Sequence, residues 1–171
     1  MTQKQTTARF ETKAFFIFGS AFLVSLMVLA ALPRKIQAAP VLTASRLSET
    51  ARKLLDRLQL HASVSVRIDD KNDSIVSVET LPDDVFVVSF DELFLKSLTE
   101  DEAAAAIAHE LGHVWISTHH PYLQTEELAN EVALRITDRE TLKRVYQKMS
   151  VQTGIVKNLD EILPPDRKTS D

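Results

Sequence analysis

The chain has 171 residues, 44% of them apolar and 26% charged, which suits one globular domain with an appendage. It contains no cysteine, so disulfides and thiolate metal sites are excluded and any metal must be held by His, Asp or Glu. Residues 1–39 carry five basic side chains against one acidic, whereas the other 132 residues carry 15 Lys and Arg against 23 Asp and Glu; this acidic remainder repels phosphate backbones and argues against nucleic-acid binding.

An apolar run without charges occupies residues 14–32, after the basic residues Lys4, Arg9 and Lys13. The run is long enough to cross a bilayer core as a helix. It predicts a membrane anchor over 1–39, or a cleaved signal peptide with a small-residue site near "IQAAP". We expect the remaining domain, 40–171, to lie outside the cytoplasm, held at the membrane or, after cleavage, secreted or periplasmic.

The domain begins with an amphipathic pattern. In "TASRLSETARKLLDRLQL" apolar residues recur at helical spacing, which predicts a helix over residues 43–60. The β-branched segments "ASVSVRI" and "SIVSVETL" flank the turn-rich "DDKND" and predict a hairpin, and "VFVVSF" predicts a third strand. We therefore expect a small, mostly antiparallel sheet after the first helix.

Two helices are predicted around the most informative part of the chain. After the short helical segment "FDELFLKSL", Thr99 and Glu102 have the spacing of a capping box, so a long helix begins near Glu100. Pro121 must end it, because proline lacks an amide hydrogen. A second helix runs from about Thr125, with an interruption near residues 137 and 138.

The sequence "HELGH", residues 109–113, lies well inside the long helix. Residues four apart share a helix face, so His109 and His113 can direct imidazole nitrogens at one ion, and zinc accepts such ligands. Glu110 can reach a water on that ion and take its proton as general base. The pattern is typical of zinc hydrolases, although two histidines packed on a buried helix face are the non-functional alternative.

A catalytic zinc site needs a third protein ligand, and Glu126 is one candidate. If the two helices form an antiparallel hairpin, Glu126 lies as far beyond the turn as His113 lies before it, so the two are level. Asn130, four residues later, falls on the same face and can hydrogen-bond to a ligand.

Glu131 and His119 are the rival candidates. The "NE" at Asn130 and Glu131 resembles the Asn-Glu pair of thermolysin-like and aminopeptidase-like sites, although Val132 replaces the glycine that often follows. His119 has the histidine spacing of a metzincin, but Ile116 stands where those enzymes turn the chain with glycine. The neighbouring His120 is a further candidate for the third ligand. His119, His120 or Tyr122 could instead stabilise a developing oxyanion, with a role in a surface turn as the alternative.

The stretch from Val85 to Trp115 resembles the HtpX-like and CAAX-prenyl-protease-like gluzincin metallopeptidases, in which "Leu-Thr-x-x-Glu" starts the active-site helix. Their later signature, Glu-x-x-Ala-Asp-x-x-Ala, is matched by "EELANEVA" with Asn130 in place of aspartate, a pattern also similar to ImmA/IrrE-type peptidases. The resemblance covers about residues 85–136 and implies Glu126 as third zinc ligand. The short gap before Glu126 makes the chain similar to the small, single-domain minigluzincins.

Together these patterns predict an α+β, zincin-like core: a helix, a small mostly antiparallel sheet, the active-site helix and a second ligand-bearing helix. The predicted function is a zinc-dependent metalloendopeptidase acting on peptides or proteins, with His109, His113 and Glu126 on zinc and Glu110 as base. The alternatives are a membrane-tethered, non-catalytic binding or regulatory module, and a latent enzyme in which another segment fills the water position.

Overall fold

A computed structural model describes residues 41–155 and 158–163 of the chain. This part of the chain is mixed α+β, as predicted. In chain order its elements are α1 (Ala44–Leu58), β1 (Ser63–Asp69), β2 (Val76–Leu81), β3 (Val85–Asp91), α2 (Glu92–Ser97), α3 (Glu100–His119), α4 (Glu126–Ala133), α5 (Arg139–Thr153) and α6 (Leu159–Ile162).

The sheet has the strand order β1-β3-β2, which corrects the predicted topology. β1 pairs with β3 in parallel, and β2 pairs with β3 antiparallel, so β1 and β2 do not form a hairpin and only one of the two pairings is antiparallel. The hairpin instead joins β2 to β3, where Asp83 and Asp84 both have positive φ, a conformation that tight hairpin turns need and that Asp tolerates.

The burial of β3 explains its central position. Six of its seven residues are buried, so the strand needs a partner on each side to satisfy its backbone groups. β1 and β2 are only partly buried and lie at the edges of the described sheet. The continuous apolar sequence of "VFVVSF" is typical of such a central strand, whereas the alternating patterns of β1 and β2 are typical of edges.

The helices begin where the local sequence predicts. Thr99 accepts a hydrogen bond from the Glu102 amide at 3.2 Å, and the Glu102 carboxylate accepts one from the Thr99 amide at 2.8 Å, which confirms the capping box of α3. The predicted interruption of the second helix is also found. Asp138 caps the start of α5 by accepting from the Thr141 amide at 2.8 Å, so α4 and α5 are separate helices.

The predicted anchor or signal peptide, including the apolar run over 14–32, lies outside the described residues. Among residues 41–155 and 158–163, no helix has the length and apolarity required to cross a membrane.

Candidate metal centre

Helix α3 carries His109 and His113 on the face that lines a cleft of about 470 Å³. The opposite side of the helix is packed into the core, where Ile107, Ala108 and Leu111 are fully buried. The side chains of His109 and His113 are only 12% and 21% exposed, and the exposed part of each lines the cleft. The core therefore fixes the helix in place, while both imidazoles can contact a group in the cleft. The i, i+4 spacing therefore places them where the sequence predicts.

Helix α4 adds a carboxylate to the two imidazoles. His109 Nε2 and His113 Nε2 lie 3.3 Å apart, and Glu126 places its Oε2 3.7 Å from the first and its Oε1 3.6 Å from the second. Among the described residues these three form a group whose ligand atoms all lie within 4.8 Å of one another, compatible with a metal ion. Two imidazole nitrogens and one carboxylate are a donor set that suits zinc.

The outer nitrogens of both imidazoles contact amide oxygens, which determines where the ring hydrogens lie. Asn130 Oδ1 is 2.8 Å from His109 Nδ1, and Gln124 Oε1 is 3.2 Å from His113 Nδ1. An amide oxygen only accepts, so each neutral ring carries its hydrogen on Nδ1 and a lone pair on Nε2. Two lone pairs and a carboxylate then face one point, an arrangement that a cation stabilises and that fits a metal ion.

The electrostatics of His113 agree with a site that attracts positive charge. Contact with the Glu126 carboxylate raises the pKa of His113 above its usual value, with a smaller contribution from the charge of Glu110, although partial burial opposes the shift. Glu126 therefore stabilises a positive charge at this position, whether a proton or a metal ion supplies it.

Glu110 lies at the same cleft but does not belong to the group of three. Its side chain is buried, with 6% exposure, and the backbone of Val78 in β2 hydrogen-bonds to its carboxyl group. Burial raises the pKa of Glu110 to about 7; the nearby charge of His113 opposes this rise and that of Glu126 adds to it. A buried carboxyl whose pKa is raised in this way, at the side of a cleft, is typical of functional sites.

The rest of the cleft is formed by β2 on one side and α5 on the other. Val76, Val78 and Thr80 line it from the strand, and Leu142, Val145, Tyr146 and Met149 line it from the helix. β2 is an edge strand of the described sheet. Its residues line the same cleft as Glu110.

The rival third ligands lie elsewhere. Glu131 is exposed on α4 and is not part of the group. The exposed His119 stacks on Trp115, with ring centroids 4.6 Å apart and planes 9° apart, and its Nδ1 lies 3.0 Å from the Trp115 carbonyl oxygen. His120 and Tyr122 are exposed in the turn and do not line the cleft, so the structure places neither beside the two histidines.

Tyr146 and Gln124 belong to this centre, although neither was predicted. The Tyr146 hydroxyl donates to Asn130 Oδ1 at 3.1 Å and lies 3.4 Å from His109 Nδ1 and 3.5 Å from Glu126 Oε2. Burial, followed by the charge of Glu126, raises the pKa of Tyr146, so the phenol remains a hydrogen-bond donor. No local pattern marks these residues, because each reaches the centre through the packing of a different segment.

Gly112 allows α3 and α4 to approach closely. A Cβ atom added at this position would lie 2.4 Å from the Ala129 carbonyl oxygen and 2.9 Å from its Cα. Both atoms belong to the backbone, so no side-chain rotation relieves the overlap, and α4 would have to move away together with Glu126. The glycine inside "HELGH" is therefore required for the approach of the second helix.

We expect Gly112→Ala to lower the free energy of unfolding by about 1–3 kcal/mol, the usual cost of overpacking, although alanine is the better helix former. Chemical denaturation measures this change, and a zinc titration of the same variant should show weaker binding because Glu126 is displaced. A variant as stable as the parent, or more so, would show that the helices can separate without loss.

Comparison with protein-family models finds no match, and comparison with curated proteins finds none either. Among solved structures, the chain is similar to the crystal structure of the metallopeptidase zymogen of Pyrococcus abyssi abylysin, with a TM-score of 0.47 and 19% sequence identity. The similar region covers 63% of this chain and 95% of that one.

Proposed function

We propose that the protein is a zinc-dependent metalloendopeptidase. The observation that carries this proposal is the convergence of His109 Nε2, His113 Nε2 and the Glu126 carboxylate at one side of a cleft that also contains the buried Glu110. Three protein ligands are the usual number for a catalytic zinc, because a fourth position then remains for water. A purely structural zinc site would not need a buried carboxyl beside it.

The proposed ligands would be His109, His113 and Glu126, oriented by Asn130 and Gln124. Zinc, when bound, lowers the pKa of a coordinated water and polarises a carbonyl group. Neither Glu131 nor His119 is proposed as a zinc ligand. The resemblance to HtpX-like peptidases supports the same assignment, since it also implies Glu126.

Glu110 is the proposed general base. Its carboxylate would accept the proton of the attacking water and pass it to the leaving amine, which requires a pKa near the working pH. Burial supplies the upward shift of that pKa, and an adjacent cation would lower it again. The hydrogen bond from the Val78 backbone holds the carboxyl group in place between β2 and the two histidines.

The outer edge of β2 is the proposed binding site for substrate. An extended peptide can add to a sheet edge through backbone hydrogen bonds, which recognise any peptide, while side-chain pockets select the sequence. β2 lines the cleft beside Glu110, so a peptide added there passes the proposed zinc position. This arrangement favours peptides or proteins as substrates over small molecules.

We further propose that the N-terminal segment, residues 1–39, directs the domain to a membrane or across it. If residues 14–32 form the predicted anchor, the domain over 40–171 would act on proteins at the outer surface of that membrane. If the segment is a cleaved signal peptide, the same domain would be secreted or periplasmic. The cellular fraction of a C-terminally tagged chain, and the mass of its mature form, distinguish these two cases.

The experiment that tests the function measures zinc and hydrolysis on the same full-length preparation. We expect one zinc per chain by mass spectrometry and cleavage of a quenched-fluorescence peptide library, abolished by a chelator and restored by zinc. A chain that holds no zinc would contradict the proposal. Zinc without hydrolysis would favour the non-catalytic module or the latent enzyme.

A further inference from the structure

Asn130 joins the C-terminal segment, residues 158–163, to the candidate metal centre. It is 0% exposed and lies in α4. Its Nδ2 donates to the backbone carbonyl oxygen of Ile162 at 2.8 Å, and its Oδ1 lies 2.8 Å from His109 Nδ1. The two ends of one amide group thus contact the C-terminal segment and a proposed zinc ligand.

The Ile162 carbonyl determines which way the Asn130 amide points. A carbonyl oxygen can only accept a hydrogen bond, so the amide must present its NH2 group to Ile162. If the amide were rotated by 180°, two oxygens would face each other in a buried position without a hydrogen between them. The Tyr146 hydroxyl, which donates to Oδ1 at 3.1 Å, does not determine this orientation, because a hydroxyl can equally accept a hydrogen bond from an NH2 group. The carbonyl of the C-terminal segment therefore directs Oδ1 at His109.

The orientation of the amide in turn determines the tautomer of His109. Because Oδ1 only accepts, the neutral imidazole must carry its hydrogen on Nδ1, and the lone pair then lies on Nε2. That Nε2 is the atom that faces His113 and Glu126. A rotated amide would instead donate to Nδ1, and the ring hydrogen would then lie on Nε2, where it blocks a metal ion.

The C-terminal segment is held by the core and not by the cleft. Leu163 is 1% exposed and belongs to the hydrophobic core, and its amide donates to the Leu159 carbonyl oxygen at 2.9 Å across the turn of α6. No described residue of the segment lines the cleft. Docking of Leu163 thus positions the Ile162 carbonyl behind the proposed centre and leaves the substrate side open.

We propose that the C-terminal segment sets the tautomer of His109 through Asn130, so that docking of this segment and zinc affinity are coupled. The zinc part rests on the proposed function, whereas the tautomer is a property of the metal-free chain. An aspartate at position 130 would present an acceptor to His109 whichever way it rotates. Asparagine therefore makes His109 depend on Ile162, and Asn130 is a positioning residue.

The test uses the full-length chain, kept in solution with a mild detergent, and loosens the segment by Leu163→Ala. Leu47→Ala is the matched control, because Leu47 is a core leucine of similar burial, 2% exposed, on α1. Nitrogen-15 NMR of the imidazoles reports the His109 tautomer in the metal-free protein, at a pH where the rings are neutral. Competition with a chromophoric chelator measures zinc affinity.

We expect Leu163→Ala to shift part of His109 to the Nε2–H tautomer and to weaken zinc binding by about 10–100-fold, as is typical for the loss of an outer-shell partner. Leu47→Ala should destabilise the fold but change neither quantity. Leu159→Ala, a milder change in the same segment, should act in the same direction and can be measured if Leu163→Ala does not fold. Combining Leu163→Ala with Asn130→Asp should restore both the Nδ1–H tautomer and the zinc affinity.

An unchanged His109 tautomer in both segment variants would overturn the proposal, as would an equal shift in Leu47→Ala. Failure of Asn130→Asp to rescue the loosened chain would also overturn it, because the effect would then not pass through the amide. A parent chain that binds no zinc would contradict the proposed function alone, since the metal-free NMR comparison still decides the coupling.

Discussion

Replacing Glu110 by glutamine is expected to lower kcat for peptide hydrolysis by about 10²–10⁴-fold, the range that a positioned general base contributes. Glutamine keeps the shape of the side chain and can still accept the hydrogen bond from the Val78 backbone, but its amide cannot take a proton from water. The fold and the zinc content should stay close to those of the parent, because Glu110 is not part of the group of three ligand atoms.

Steady-state kinetics with one cleaved peptide, together with zinc analysis of the same preparation, measure this effect. Glu131→Gln is the matched control, since Glu131 is an exposed glutamate of α4 outside the cleft, and its kcat should remain at the parent value. A Glu110→Gln variant that retains its full kcat would mean that another group takes the proton, and the proposed mechanism would be wrong.

The second large effect is expected at the third ligand. Glu126→Gln should weaken zinc binding by more than the 10–100-fold that is typical of outer-shell partners, because it removes the negative charge that faces both Nε2 atoms. Hydrolysis should fall with zinc occupancy. Competition titrations with a chromophoric chelator measure the affinity, and mass spectrometry measures the zinc retained by each chain.

Two control variants separate Glu126 from its rivals. Glu131→Gln changes the same functional group on the same helix, and His119→Ala removes the histidine that stacks on Trp115. Neither should alter zinc affinity, whereas His113→Ala should reduce it as strongly as Glu126→Gln. Zinc loss in Glu131→Gln or His119→Ala, with retention in Glu126→Gln, would show that the centre is assembled from other residues.

Local sequence was sufficient to predict those features that depend on interactions within one or two turns of a helix. The capping box of Thr99 and Glu102 starts α3, and the i, i+4 spacing places His109 and His113 on one face, because hydrogen bonds and periodicity within a helix depend on near neighbours. The C-terminal end of α3 was predictable from Pro121, and the break before α5 was predictable from Asp138, for the same reason.

The order of the strands in the sheet could not be predicted from the sequence, because it depends on contacts between distant segments. The alternating patterns of β1 and β2 identified them as strands, but pairing them with each other was wrong, since burial of β3 on both faces makes it the central strand. Periodicity predicts which face of a strand is buried and does not predict which strands are neighbours. The identity of β2 as the edge along the cleft follows only from the assembled sheet.

The sequence alone therefore determined the α+β class, the position of the long helix and the pair of histidines with Glu110 beside them, because each follows from local periodicity or capping. The tertiary structure decided the rest. Glu126 was brought to the histidines, rather than Glu131, by the close approach of α3 and α4 at Gly112. The contacts of Tyr146, Gln124 and the Ile162 carbonyl arise where separate segments meet, and packing between segments leaves no periodic trace in a sequence.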